Sequence, residues 1–320
     1  MKLSTAALLA AALSACGGST VQRAPAGPHA LSTLRHVSVL ASTADPANHD
    51  TYPFGLAISP AVAYPNGTPT GLHLQAGDLL VSNFGNAAGV QGKGTTVELI
   101  RPGDPTPAAQ TFFSGASAVA GISISGVGMP WFAEFGTDGN PPSPMQVTSP
   151  TGTLAGGGNF AQGSVPGAWG VTFNGQKPPL AAFFATDAVH GTLLRIAVVP
   201  GNFNTGTITE IAKGFPVNGN PPPAGETFAA SVNGPQQMLS SVTRNLDGNL
   251  VVSNNGASGN LLVEITPDGK LVETVDPIAL GGRTVQGGQI VTAVATAGTS
   301  GQQLIYFTDD SDGTVKVLAP

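Results

Sequence analysis

Residues 237–275 read QMLSSVTRNLDGNLVVSNNGASGNLLVEITPDGKLVETV. Gln237 to Val242 suits a strand, Asn245-Leu246-Asp247-Gly248 is a turn signal, and Asn249 to Ser253 is a second strand. Asn254-Asn255-Gly256 breaks that strand, and Asn260 to Thr266 makes a third. Pro267-Asp268-Gly269-Lys270 then turns the chain into Leu271 to Val275. Four strands joined by tight turns form one up-and-down sheet, the blade of a propeller.

The same order recurs on both sides of this stretch. The second strands end in Val81-Ser82-Asn83, Phe132-Ala133-Glu134, Ala185-Thr186-Asp187, Val252-Ser253-Asn254 and Phe307-Thr308-Asp309. The five acceptors are 51, 53, 67 and 55 positions apart, a spacing typical of propeller blades. The last repeat, from Ile290 to Leu318, lacks a fourth strand, and His36 to Ala41 is an orphan strand before the first. Pairing the two closes the ring and removes an open sheet edge. The expected fold is therefore an all-β propeller of four-stranded blades, closed by its N-terminal strand. Five repeats are visible, and a sixth blade would have to lie in the Pro-rich segment 213–235, which reads as an inserted loop like 60–77.

Composition agrees. Charged residues make up 9% of the 320, against roughly 25% in ordinary soluble domains. The 44 Gly and 27 Pro punctuate short runs of Val, Ile, Leu and Ala. The net charge of −6 contains no Lys/Arg run, so the electrostatic footprint of a nucleic-acid binder is missing. A monomer with no nucleic-acid partner is expected.

The N-terminus sets an address. Met1-Lys2 and the apolar run Leu3 to Ala15 have the layout of a secretory signal peptide. Leu13-Ser14-Ala15-Cys16 resembles the lipobox of bacterial lipoproteins, and Cys16 is the only cysteine of the chain. The resemblance implies lipidation at Cys16 and a membrane partner reached through the lipid. Gly17 and Gly18, where an Asp would resemble an inner-membrane retention signal, imply the outer membrane of a Gram-negative envelope. The domain plan is a signal peptide over 1–15, a flexible tether over 16–34 and a propeller over 35–320.

The scaffold itself has a family resemblance. Phe184-Ala185-Thr186-Asp187 with Gly191 to Ile196, and Phe307-Thr308-Asp309 with Gly313 to Val317, resemble NHL repeats. Pro53-Phe54-Gly55-Leu56-Ala57 and Ala168-Trp169-Gly170-Val171 resemble the start of the same repeat. NHL propellers and the related SMP-30/gluconolactonase propellers include binding proteins as well as metal-dependent lactonases and lyases.

Antiparallel pairing puts the start of each first strand and the end of each second strand on one face. Asn83, Glu134, Asp187, Asn254 and Asp309 should thus ring the mouth of the central channel. Oxygen ligands of this kind suit Ca²⁺ or another divalent cation, and SMP-30-like enzymes hold a metal in that region. Asn and Asp at strand ends also cap turns through their own backbone, which explains the repetition without a ligand. Asp309-Asp310-Ser311-Asp312-Gly313 resembles the start of a calcium loop but lacks its closing Glu. Trp169 is a candidate for stacking on a flat ligand, or for core packing. His190 is the histidine placed nearest the ring, and no nucleophile elbow, zinc-protease motif or phosphate loop is present, so no catalytic residue is assigned. Two functions remain open. One is a binding or scaffold module, for a protein or small molecule, working through its loop-rich face. The other is a metal-dependent hydrolase resembling SMP-30.

Overall fold

The computed structural model describes residues 31–115, 118–134, 144–159, 168–174, 181–187, 190–197, 206–215, 238–244, 248–256, 259–283, 291–299 and 302–320. A short 3-10 turn, Leu31–Thr33, leads into strand β1, His36–Ser42. Blade 1 holds β2 (Thr51–Ile58), β3 (Leu79–Gly85), β4 (Thr96–Ile100) and β5 (Gln110–Ser114). Blade 2 holds β6 (Val119–Ile124), β7 (Pro130–Glu134), β8 (Pro144–Thr148) and β9 (Leu154–Asn159). Blade 3 holds β10 (Ala168–Phe173), β11 (Ala182–Asp187), β12 (Thr192–Ala197) and β13 (Ile208–Lys213). Blade 4 holds β14 (Met238–Arg244), β15 (Leu250–Gly256), β16 (Gly259–Ile265) and β17 (Leu271–Val275). A single helical turn, α1 (Pro277–Leu280), capped by the Asp276 carboxylate, precedes blade 5: β18 (Val291–Thr299), β19 (Gln302–Asp309) and β20 (Thr314–Ala319).

β1 completes blade 5. His36 pairs with Ala319 and Ser42 with Thr314, giving the sheet order β18-β19-β20-β1. The chain therefore enters this blade at the end of β20, opposite the β19–β20 turn that carries Asp309. The innermost strands β2, β6, β10, β14 and β18 each neighbour the next, and β18 returns to β2. That closed circle leaves no slot for a sixth blade. Residues 216–235 lie outside the described residues.

The core sits between blades, and this decides how each strand reads. Leu80 and Leu99 of blade 1 meet Ile122 and Phe132 of blade 2. Trp131 and Met145 of blade 2 then meet Val171 and Phe183 of blade 3. Phe184 and Leu193 pack on Val252 and Val263, and Leu262 packs on Val294 and Ile305. Ala295 and Val315 close the circle against Leu56 and Val81. Strands β3, β7 and β11 have a blade on either side and are buried along their whole length. Hence each begins as a continuous apolar run and turns polar only at the acceptor or at the residue before it, whereas the outermost β1 is largely exposed. Burying one such Val, Leu or Phe contributes roughly 1.5–3 kcal/mol.

The packed domain starts upstream of the expected boundary at residue 35. Leu31 and Leu34 are fully buried, against Val251, Leu262, Ile278 and Leu318. The Ser32 N–H donates to Glu273 Oε1 at 3.0 Å. Two leucines in a Ser/Pro/Gly-rich stretch supply the contact that composition hid.

Candidate functional site

All five acceptors end a second strand and sit opposite the start of a first strand: Pro53↔Asn83, Val119↔Glu134, Ala168↔Asp187, Leu239↔Asn254 and Val291↔Asp309. The first strand slips register just after each of these pairs. Such bulges bend a strand and sharpen its twist. At two of them there is no room for a side chain: a Cβ on Gly55 would lie 2.5 Å from the Ser82 side-chain Oγ, and one on Gly121 only 2.1 Å from the Trp169 backbone carbonyl.

The residue before the acceptor does a job that the sequence reading missed. Ser82 Oγ accepts the Gly55 N–H at 2.7 Å within its blade and donates to the Val119 carbonyl of blade 2 at 2.9 Å. Thr186 Oγ1 accepts the Gly170 N–H at 2.7 Å, and Ser253 Oγ donates to the Val291 carbonyl of blade 5. The signal was available: a hydroxyl residue precedes the acceptor in every repeat except at Ala133.

The acceptors themselves are buried, from 0% exposed at Asp309 to 7% at Asn254. Asn83, Glu134, Asp187 and Asp309 bond within the blade or to the connection that enters it. Asn83 Nδ2 donates to the Thr43 carbonyl at 2.9 Å, to Thr96 Oγ1 at 3.3 Å and to Glu98 Oε1 at 3.4 Å. Glu134 Oε1 accepts Gln146 Nε2 at 2.5 Å. Asp187 accepts the His190 N–H at 3.2 Å and holds His190 Nδ1 at 2.7 Å. Asp309 accepts Arg283 Nη1 at 2.6 Å, the Ser311 N–H at 3.1 Å and Lys316 Nζ.

One register rule organises three of these contacts. Glu98, Gln146 and Lys316 each pair with the residue two before the acceptor, namely Val81, Phe132 and Phe307. In a pleated sheet, positions two apart share a face. The third strand therefore presents a polar head diagonally to the acceptor in blades 1, 2 and 5, and an apolar Leu194 or Val263 in blades 3 and 4. Among the described residues no three His, Cys, Asp or Glu side chains are arranged to hold a metal ion.

Charge differs sharply around the face. In blade 5, Lys316 Nζ also reaches Asp312 at 2.7 Å, and Arg283 bonds Ser311 Oγ at 2.9 Å. Burial works against ionisation of Asp312, but hydrogen bonds from Lys316 and Thr314 hold its carboxyl below the usual range. Burial, with the Asp309 charge, pushes Asp310 up to about 8. The calcium-loop resemblance at 309–313 is thus met by a lysine and an arginine standing where a cation would. In blade 1, Glu98 is fully buried beside Asp45 and Asp50, which are 1% and 4% exposed.

Trp169 is not a stacking platform. It is fully buried, with ring centroids 5.2 Å from Phe54 and 5.1 Å from Phe84. This aromatic cluster joins blades 1 and 3 across Ala118 and Ala120, so core packing is its role. His190 is an exposed turn residue with one nitrogen fixed by Asp187. Cys16 lies outside the described residues.

No protein-family model and no curated protein matches the chain. Among solved structures, a luciferin-regenerating enzyme is similar at 12% identity and TM-score 0.44, over 82% of this chain and 76% of its own. Regucalcin from Agrobacterium tumefaciens, described as a calcium-binding protein, is similar at 10% identity and TM-score 0.42, over 75% of this chain and 72% of its own. A chain of a nidogen–laminin complex is similar at 13% identity and TM-score 0.39, over 84% of this chain and 76% of its own.

Proposed function

We propose that this chain is a lipid-anchored, extracytoplasmic propeller that works as a binding module through the face carrying the five acceptors. The observation that carries this reading is the use of acceptor side chains as internal ties. Asn83, Glu134, Asp187 and Asp309 are bonded to neighbouring strands, turns or inter-blade connections. Side chains spent in this way stiffen the rim and leave recognition to the loops above it, the usual division of labour between scaffold and loops. Entry of the chain at the opposite end of blade 5 supports the orientation. An anchor at Cys16 would put the membrane behind the propeller and the acceptor face in front.

Two measurements test the reading. Cys16→Ala should abolish lipid labelling and release the protein from the membrane fraction, and continued labelling would refute the anchor. Calcium should leave the melting temperature of the purified protein unchanged. A calcium-dependent rise that vanishes in Glu134→Ala and in Asp187→Ala would replace the binding module with a metal-dependent hydrolase.

A further inference from the structure

The chain enters the propeller through a groove between the outer edges of blades 4 and 5. Leu31 and Leu34 are fully buried in it, with Leu262 of blade 4, Leu318 and Val37 of blade 5 and Ile278 of α1 around them. The Ser32 N–H donates to Glu273 Oε1 of β17 at 3.0 Å, and the Arg35 N–H donates to the Ala319 carbonyl at 2.7 Å. β17 and β1 are the outermost strands of their sheets. Residue 31 is therefore fixed at the outer edge of the propeller.

Among the described residues five large apolar side chains are exposed, and three of them rim this groove. Val39, 62% exposed, stands two places after Val37 in β1 and shares its face. Leu280, 39% exposed, ends α1, and the next residue lies against Val37: a Cβ on Gly281 would be 3.6 Å from Val37 Cγ1. Leu271, 68% exposed, opens β17, the strand on which the 3-10 turn rests. The other two, Val90 and Leu154, belong to blades 1 and 2. Cations accompany the three. Arg35 is exposed and in no ion pair among the described residues. Lys270, beside Leu271, holds an exposed ammonium 3.2 Å from the exposed Asp268.

Chemistry and reach together say what covers this rim. Apolar side chains with cations beside them suit the boundary between acyl chains and headgroups. Cys16, the proposed lipidation site, is separated from Leu31 by residues 17–30, which span at most about 50 Å. A lipid at Cys16 thus keeps the groove close to the bilayer. Docking then becomes an intramolecular step at high effective concentration. Three side chains are too few to hold the protein on a membrane alone, but on a short tether they suffice to orient it.

We propose that the flank between blades 4 and 5, with Val39, Leu271 and Leu280 around the entry of the chain, rests on the surface of the lipid bilayer. The inference deepens the reading of an anchored propeller and depends on it. What it adds is an orientation: the outer edge of these two blades meets lipid, and the acceptor face is left uncovered for its ligand.

The test is hydroxyl-radical footprinting of the full lipidated chain on vesicles of phosphatidylethanolamine and phosphatidylglycerol, with the unlipidated Cys16→Ala protein in solution as reference. Oxidation at Val39, Leu271 and Leu280 should fall several-fold on the vesicles, while Val90 and Leu154 keep their solution rates. Leu271→Glu combined with Leu280→Glu changes only exposed positions and should leave folding intact. That variant should still float with the vesicles but return Val39 to its solution rate. A wild type that floats with the three side chains unprotected overturns the docking and leaves the anchor standing. One that takes no lipid overturns the anchor, and the docking with it. Equal protection at Val90 and Leu154 overturns the choice of flank. Protection that grows with protein concentration in the absence of vesicles overturns it too, because a second copy of the chain then covers the groove.

Discussion

Blades 1 and 5 lie on either side of the propeller's seam and place a charged residue at the same register position. In blade 5 that residue is Lys316, beside the fully buried Asp309, with Arg283 completing the neutralisation. In blade 1 it is Glu98, beside the neutral Asn83 and under two more carboxylates. One site balances charge with charge, and at the other no Lys or Arg pairs with Glu98 among the described residues. The fold fixes where the diagonal contact occurs, and the residue placed there decides what the contact responds to. Blade 5 should be the more sensitive to loss of a partner, because Asp309 would stay buried with one cation fewer.

Three changes sharpen or break that contrast. The largest effect should come from removing residues 1–42, which strips β1 from β20, exposes a sheet edge and deletes the buried Leu31 and Leu34. The expected product aggregates or lacks a cooperative transition, whereas removal of 1–30 leaves melting unchanged. Equal melting of the two truncations would exclude closure by the N-terminal strand. Next come single substitutions on either side of the seam. Lys316→Met leaves the Asp309 carboxylate buried with one partner fewer and should cost about 3 kcal/mol at any pH near neutrality. Asn83→Asp removes the amide that serves Thr43 and adds a charge beside Glu98, costing about 1–3 kcal/mol and more as pH rises. Urea midpoints measure both, and identical pH profiles would dissolve the contrast. The smallest effect belongs to His190→Ala, whose side chain is 58% exposed and should contribute less than about 1 kcal/mol.

The fold was legible because punctuation in this chain is strong. Turn signals such as Asn245-Leu246-Asp247-Gly248 mark strand ends, and the orphan strand at 36–41 had one vacancy to fill. The acceptor positions were legible for the same reason, as each marks where a second strand stops. Their partners were not. A diagonal contact between Asn83 and Glu98, or between Asp309 and Lys316, depends on the pairing register of two strands, which no single strand displays. Glu98 in Thr96–Ile100 looks like the outward residue of an alternating strand, yet every residue of that strand is buried. Trp169 was legible as an inner-strand aromatic, but its neighbours Phe54 and Phe84 come from a non-adjacent blade.

Closure by β1 also has a consequence for how the protein is made. Thr43 and Gly313 are bonded across 270 residues of sequence, and β1 finds its partner only in the last strand of the chain. During synthesis the first of the propeller's described strands to appear is the last to be paired. Contacts this distant in sequence slow folding, because the chain gives up loop entropy before they form. Until β20 arrives, each growing chain carries an unpaired edge, and two chains in that state can pair with each other. The same feature that leaves the finished ring without a free end makes its biogenesis a contest between self-closure and a neighbour's strand, decided by how dilute or chaperoned the nascent chains are.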